Sequence, residues 1–254
     1  MFVFLNGEIL PEKNAKISIN DAGFRYGGGF FETLLYRDGK PQNLVAHLKR
    51  LQESAKILQI KIPFAVGSIE AAIQKLSQKN KIEKGMLRII LTPQTFLITL
   101  NKLPRYPKSA KVCFVEMERC LPHLKTLNYL PTVIAQNIAK EKNCDEALLV
   151  DRKGFITEGG RSNFFWVKGK KLFTPPLGNS LAGTTRERII KLAADLDLKF
   201  AESKVKPARL LSADEVFLTN SPMEILPITK IENREFAVGE ITQDLQAAYK
   251  KKYA

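Results

Sequence analysis

The chain has 254 residues, 44% hydrophobic and 26% charged, enough to bury a core in one large domain or two of about 120 residues, and too apolar for a disordered chain. Forty Lys and Arg against 26 Asp and Glu give a formal charge of +14. The lysines are scattered, as in Lys79-Asn80-Lys81, Lys168 to Lys171 and Lys250 to Lys252, with none of the aromatic interleaving of single-strand binders. A solvated surface that draws in an anionic small molecule is expected, and no nucleic acid.

Taken in order, the first residues read as a hairpin, with strands through Leu5 and Leu10 about an Asn6-Gly7 turn, followed by Ile17 and Ile19. After Gly27-Gly28-Gly29, the run Phe30 to Tyr36 is β-prone and ends at a second hairpin turn, Asp38-Gly39. Leu44, Leu48, Leu51, Ala55 and Leu58 recur at helical spacing, and residues 67 to 79 repeat that pattern more weakly. Strands are expected at Met86 to Leu91 and Lys111 to Met117. Glu118-Arg119-Cys120-Leu121-Pro122 lacks periodicity and reads as a linker. The expected division is therefore a domain over 1–117, a linker over 118–122 and a second domain over 123–254. In that second part, a helix is expected from Asn128 to Lys142, with strands around Ala147 to Val150 and Phe164 to Val167 separated by a turn at Glu158-Gly159-Gly160. A helix opened by Thr184 or Thr185, with a hydroxyl as its cap, a strand at Val216 to Thr219 and a helix from Thr242 complete a mixed α and β reading.

Apolar stretches such as Ile89 to Leu91 fall far short of the roughly 20 residues that cross a bilayer, so no membrane association is expected. No basic residue precedes the first apolar run, which argues against a secretory signal, and Cys113, Cys120 and Cys144 are odd in number and widely spaced. A cytoplasmic protein is expected. His47 and His123 lie in no metal-ligand spacing, so no metal is expected.

Two residues draw attention for their chemistry. Lys125 lies in the apolar stretch Leu124-Lys125-Thr126-Leu127, and a desolvated lysine amine near another cation is acidic enough to condense with an aldehyde. Glu158 follows a β-prone pair and precedes two glycines; aimed into a cleft, such an acid would keep a pyridine nitrogen protonated. Taken alone, each also reads as an ordinary surface or turn residue.

The run Asp21-Ala22-Gly23-Phe24-Arg25-Tyr26-Gly27-Gly28-Gly29-Phe30-Phe31-Glu32-Thr33, the helix His47-Leu48-Lys49-Arg50-Leu51, and Lys125 with Leu127-Asn128 resemble the class IV aminotransferases and aminodeoxychorismate lyases. So do Asp145-Glu146-Ala147, Thr157-Glu158-Gly159 with Ser162-Asn163-Phe164-Phe165, Gly183-Thr184-Thr185-Arg186, Ala213-Asp214-Glu215-Val216-Phe217 and Glu224-Ile225-Leu226-Pro227. The resemblance spans almost the whole chain. It implies an α+β, two-domain fold type IV enzyme with pyridoxal 5'-phosphate at the domain interface, in a homodimer. By position, Lys125 matches the Schiff-base lysine, Glu158 the acid at the pyridine nitrogen and Arg50 the cation on the phosphate. Thr184, Thr185 and Ser221 match the remaining phosphate donors, a role that suits a helix N-terminus.

Within the family, a 4-amino-4-deoxychorismate lyase of folate biosynthesis is expected, releasing pyruvate and 4-aminobenzoate. Thr33 looks like the lyase threonine that assists proton transfer. Leu218 to Ile231 and Ser162 to Gly169 look most like bacterial lyases. Thr92-Pro93-Gln94-Thr95-Phe96 stands where D-amino-acid transaminases carry an Arg-and-His loop, although many lyases have an Arg-Gly start there. Arg88 is a candidate for a substrate carboxylate or an outward charge on its strand, and Tyr26 for the cofactor pocket or a core aromatic. The other expectation is a transaminase of branched-chain or D-amino acids working with 2-oxoglutarate.

Overall fold

A computed structural model describes residues 1–253, and the chain forms two compact units: Met1–Arg105 with Leu124–Asn128, and Tyr106–His123 with the chain from Tyr129 onward. In the first, β1 (Phe2–Leu5), β2 (Glu8–Pro11), β3 (Phe30–Arg37), β4 (Lys40–Pro41), β5 (Gly85–Leu91) and β6 (Phe96–Lys102) form an antiparallel sheet ordered β2-β1-β6-β5-β3-β4. The opening hairpin turns at Asn6 and Gly7, both with positive φ, as a two-residue turn between twisted strands requires. A short helix α1 (Ala22–Tyr26) precedes β3; α2 (Leu44–Ile57) and α3 (Val66–Asn80) cover one face of the sheet. Because strand side chains alternate, Leu34 and Tyr36 of β3, Leu87, Ile89 and Leu91 of β5, and Phe96, Ile98 and Leu100 of β6 all reach that face. They pack with Leu44, Leu48, Leu51 and Ala55 of α2 and Ile69, Ile73 and Leu76 of α3. Each such large side chain contributes roughly 1.5–3 kcal/mol through burial. Strand β6 lies beyond the elements expected from sequence, while Ile17 and Ile19 lie outside any strand.

The second unit holds a nine-stranded mixed sheet. Its strands are β7 (Ala110–Glu116), β8 (Glu146–Val150), β9 (Ile156–Gly159), β10 (Asn163–Lys168), β11 (Lys171–Thr174), β12 (Lys199–Glu202), β13 (Glu215–Asn220), β14 (Glu224–Ile231) and β15 (Arg234–Glu235). The order is β12-β11-β10-β13-β14-β7-β8-β9, with β15 paired to β14. Helix α4 (Leu130–Glu141) lays Ala135 and Ala139 against Cys113, Val115, Ala147 and Leu149. Helix α5 (Thr184–Asp195) and the C-terminal α7 (Glu240–Tyr253) pack on Phe165 and Phe217, whose rings stack at 5.2 Å; the short α6 (Pro207–Leu210) supplies Leu210 to the core on Phe164, Trp166 and Leu218. No helix among the described residues is long and apolar enough to cross a membrane.

The mixed, two-part organisation agrees with the sequence reading; the boundary differs. The chain leaves the first unit at Arg105, not near residue 118, because β7 pairs in parallel with both β8 and β14 of the second unit. Leu124–Asn128 then belongs to the first unit, so Lys125 is not part of the C-terminal domain that was expected to carry it. Leu124 is buried in the first core, the Phe31 N–H donates to the Lys125 carbonyl at 3.0 Å, and the Leu127 N–H donates to Gly29 at 2.9 Å. Local periodicity does not register a five-residue segment that pairs with strands almost a hundred residues earlier.

Candidate active site

In the first unit, Lys125 is set by strand pairing. A bridge between Phe30 and Thr126 fixes its backbone beside the start of β3, and its Nζ lies 4.5 Å from the centre of the Phe31 ring. Phe31 and Thr33 point to the face of the sheet opposite α2 and α3, and Thr33 pairs across to Arg88 of β5. The Arg88 guanidinium stands 5.3 Å from the same Phe31 ring. Lys125 and Thr33 are half-buried and Arg88 is exposed. Amine and guanidinium are thus gathered about one aromatic side chain, with Thr33 next along the same strand face. Arg88 is indeed outside the core, but on the face that carries Lys125.

On the helix side of β3, Arg50 makes a two-bond fork to Glu32, with Nε to Oε1 at 2.7 Å and an Nη to Oε2 at 2.6 Å. His47, one helical turn earlier on α2, places Nδ1 2.6 Å from Glu32 Oε2. Glu32 and His47 are 1% exposed and the Arg50 side chain 15%. Burial by itself would raise the Glu32 pKa, but the charges and hydrogen bonds of Arg50 and His47 outweigh it and hold it at about 2. Burial lowers the His47 pKa, opposed by Glu32 and reinforced by the nearby charges of Arg50 and Lys125. Since an ionised Glu32 only accepts, the proton between the two sits on His47 Nδ1. Arg50, expected on the cofactor phosphate, is a fixed cation whose orientation is dictated by Glu32.

The turn after β5 is pinned as firmly. Asp21, 1% exposed, caps α1 through the N–H groups of Gly23 and Phe24 and also accepts from the hydroxyls of Thr92 and Thr95, each at 2.7 Å. Gly27 ends α1 in the left-handed region, with the Asn128 side chain so close that a Cβ there would crowd it. Tyr26 is 66% exposed beneath the Arg25 guanidinium, which rules out the core-aromatic reading.

In the second unit, Glu158 lies in strand β9, where a turn was expected. Its register against Leu149 of β8 extends the pairing through Gly159. The side chain is 3% exposed; Oε1 takes the Arg119 guanidinium at 2.6 Å and Oε2 takes the Leu181 N–H at 3.0 Å. The cap of α5 is also corrected: Gly183, not Thr184, is the N-cap, and it makes no side-chain capping bond. A Cβ on Gly183 would collide with Asn163, so glycine is required at that approach. Thr184 Oγ1 lies 3.4 Å from Ser221 Oγ, and Thr184 and Thr185 are buried. Thr219, opposite Asn163 across β10 and β13, has a buried hydroxyl with no partner among the described residues.

The structure thus brings Lys125, Thr33 and Arg88 to one face of the first unit, and Thr184 and Ser221 to the head of α5 in the second. Three contributors were missed in sequence: Glu32, His47 and Arg119. The first two had a signal, an acid on the apolar stripe Phe30, Glu32, Leu34, Tyr36, and a histidine beside Leu44, Leu48 and Leu51. Charge on a buried stripe demands a partner. Arg119 lay in the segment read as a linker and gave none.

A family model described as "Amino-transferase class IV" matches residues 29–231, and the chain belongs to that family. It is 34% identical to a Methanocaldococcus jannaschii protein provisionally named a branched-chain-amino-acid aminotransferase, over 98% of this chain and 96% of that one. It is 33% identical to the aminodeoxychorismate lyase of Bacillus subtilis, over 98% and 94%. The branched-chain aminotransferase of Thermoproteus uzoniensis, solved with norvaline, superposes with a TM-score of 0.92 at 28% identity, covering 99% of this chain and 94% of that one.

The cofactor of this family is pyridoxal 5'-phosphate, and the residues present fit it. The head of α5, where a helix presents its positive dipole end, has no side-chain cap, and the hydroxyls of Thr184 and Ser221 lie together beside it, a donor set that suits a phosphate dianion. The orphaned Thr219 hydroxyl on the neighbouring strand awaits an acceptor or donor.

Proposed function

We propose that the enzyme is a 4-amino-4-deoxychorismate lyase that converts its anionic substrate to 4-aminobenzoate and pyruvate. In this assignment Lys125 holds the cofactor and afterwards moves protons, Arg50 with Thr184, Thr185 and Ser221 binds the phosphate, and Glu158 faces the ring nitrogen. When bound, the cofactor supplies an aldehyde and an electron-withdrawing ring that acidifies the substrate carbon bearing nitrogen. Thr33 assists Lys125 in passing the proton, and Arg88 takes a substrate carboxylate, for which a guanidinium fork is well shaped. Tyr26 is assigned to substrate contact on resemblance alone.

The observation that carries this reading is the placing of Lys125 and Arg88 at the Phe31 ring, with Thr33 on the same strand face and paired across to Arg88. It supplies a proton shuttle, a hydroxyl and a carboxylate partner on one face. The turn from Thr92 to Thr95 offers no cation for an amino-acid carboxylate, and both its threonine hydroxyls are committed to Asp21. The test is to give the holoenzyme aminodeoxychorismate and, separately, branched-chain or D-amino acids with 2-oxoglutarate. Pyruvate from the first alone is expected; amino transfer from the second without pyruvate release from the first would assign a transaminase. Lys125→Ala is expected to lose both activity and the visible band of bound cofactor, and a retained band would mean another amine holds it.

The proposal includes a homodimer. Supporting it, Ile17, Ile19 and Phe24 are 50%, 77% and 74% exposed around a hollow of about 320 Å³ that Ile90, Leu97 and Leu127 also line. Contiguous exposed apolar surface of this kind suits a covered face. Sedimentation should show a dimer that Ile19→Asp weakens; a wild-type monomer at micromolar concentration would remove this part. A cytoplasmic location belongs to the same proposal, in keeping with three cysteines that are all free in the structure.

A further inference from the structure

Arg119 stands just past β7, in a segment that the sequence marks only as irregular. The structure ties that segment down: the Met117 N–H donates to Val150 at 3.0 Å, and the Glu118 carboxylate accepts the Arg152 N–H at 3.0 Å. These anchors are the last residue of β8 and a residue just past it, and β8 pairs with β9 and so with Glu158. The guanidinium that follows is delivered to a carboxylate that is 3% exposed, and the Arg119 side chain is itself only 9% exposed.

A carboxylate so deeply buried and without a cation takes up a proton, because desolvation penalises the charged form. A neutral acid cannot stabilise a protonated ring nitrogen, and a strongly basic carboxylate would strip that nitrogen of its proton. An arginine, charged at every working pH, prevents both outcomes: it keeps the acid ionised and lowers its appetite for a proton. The Leu181 N–H on the second oxygen fixes the plane of the carboxylate.

We propose that Arg119 is a positioning residue that acts through Glu158, keeping it an ionised and correctly aimed partner for a protonated cofactor ring nitrogen. This rests on the assignment of Glu158 made above. It makes the strength of the electron sink a property of the Arg119–Glu158 pair, not of the acid alone.

The test is the resonance of 15N-labelled ring nitrogen in cofactor bound to the full-length protein, with kcat and KM measured on the same samples. Wild type should show a protonated nitrogen. Arg119→Gln should move the resonance toward the neutral ring, with kcat falling about ten- to a hundredfold, by analogy with the loss of partners that orient metal-ligating side chains, and KM little changed. An Arg119→Gln holoenzyme with the wild-type resonance and rate overturns the proposal. Should that variant fail to fold or load, Arg119→Lys decides. It keeps the charge without the planar fork, so the nitrogen should stay protonated while kcat drops; a neutral nitrogen or an unchanged rate overturns the proposal. A wild-type protein that binds no cofactor instead sinks the underlying assignment, and is seen before any variant is made.

Discussion

Glu32 of the first unit and Glu158 of the second occupy equivalent environments: each sits on a strand, is all but closed to water, and holds an arginine at 2.6 Å. What separates them is where the partners come from. Glu32 is bound by two side chains of the same helix, Arg50 and His47, on the face of the sheet that α2 covers. Glu158 is bound by an arginine from an irregular segment and by a backbone N–H that precedes the head of α5. The first arrangement locks helix to sheet and aims Arg50. The second aims the acid itself. Burial and pairing alone do not distinguish a carboxylate that holds the fold from one that, as proposed for Glu158, does chemistry; the origin of its partners is the difference between these two.

Exchange of each acid for its amide should separate the two. Glu158→Gln is expected to lower turnover about a hundredfold or more, the scale on which a preorganised charge acts, because an amide cannot balance a protonated ring nitrogen. Its melting temperature should fall less than that of Glu32→Gln. If both variants lose turnover and stability in parallel, the distinction drawn between the two acids is wrong.

Legibility in sequence follows the same division. Elements with their own period, such as α2 with Leu44, Leu48 and Leu51 or β3 from Phe30, could be read directly. Strand β6 was legible too, since Phe96, Ile98 and Leu100 alternate with less buried residues just after the Thr92-Pro93 turn. What could not be read is whatever depends on pairing at a distance. That covers the return of Lys125 to the first unit, the inclusion of Glu158 in a strand and the delivery of Arg119. The resemblance pointed to Lys125, Glu158 and Arg50 as important, yet it was silent on the groups that hold them.

The smaller effect concerns acid. Glu32 carries a pKa of about 2 in the fold against an ordinary 4.5, so its contribution to stability is complete above pH 4.5 and lost as pH falls toward 2. That depression corresponds to roughly 3 kcal/mol at neutral pH. His47 acts in the same sense. Its pKa is lowered by burial first, so the unfolded chain gains a proton below about 6.5 that the buried imidazole resists, and acid favours unfolding there too. Denaturant unfolding of wild type and Glu32→Gln at several pH values measures the carboxylate together with its hold on His47, whose pKa it raises. The variant should be less stable by about 3–5 kcal/mol at neutral pH, the cost of orphaning buried partners. The gap should narrow by roughly half near pH 3, as the wild-type carboxylate approaches protonation. A gap that stays constant from neutral pH down to that point would mean that Glu32 stabilises the first unit by packing rather than by charge, and Arg50 would then owe its orientation to something else.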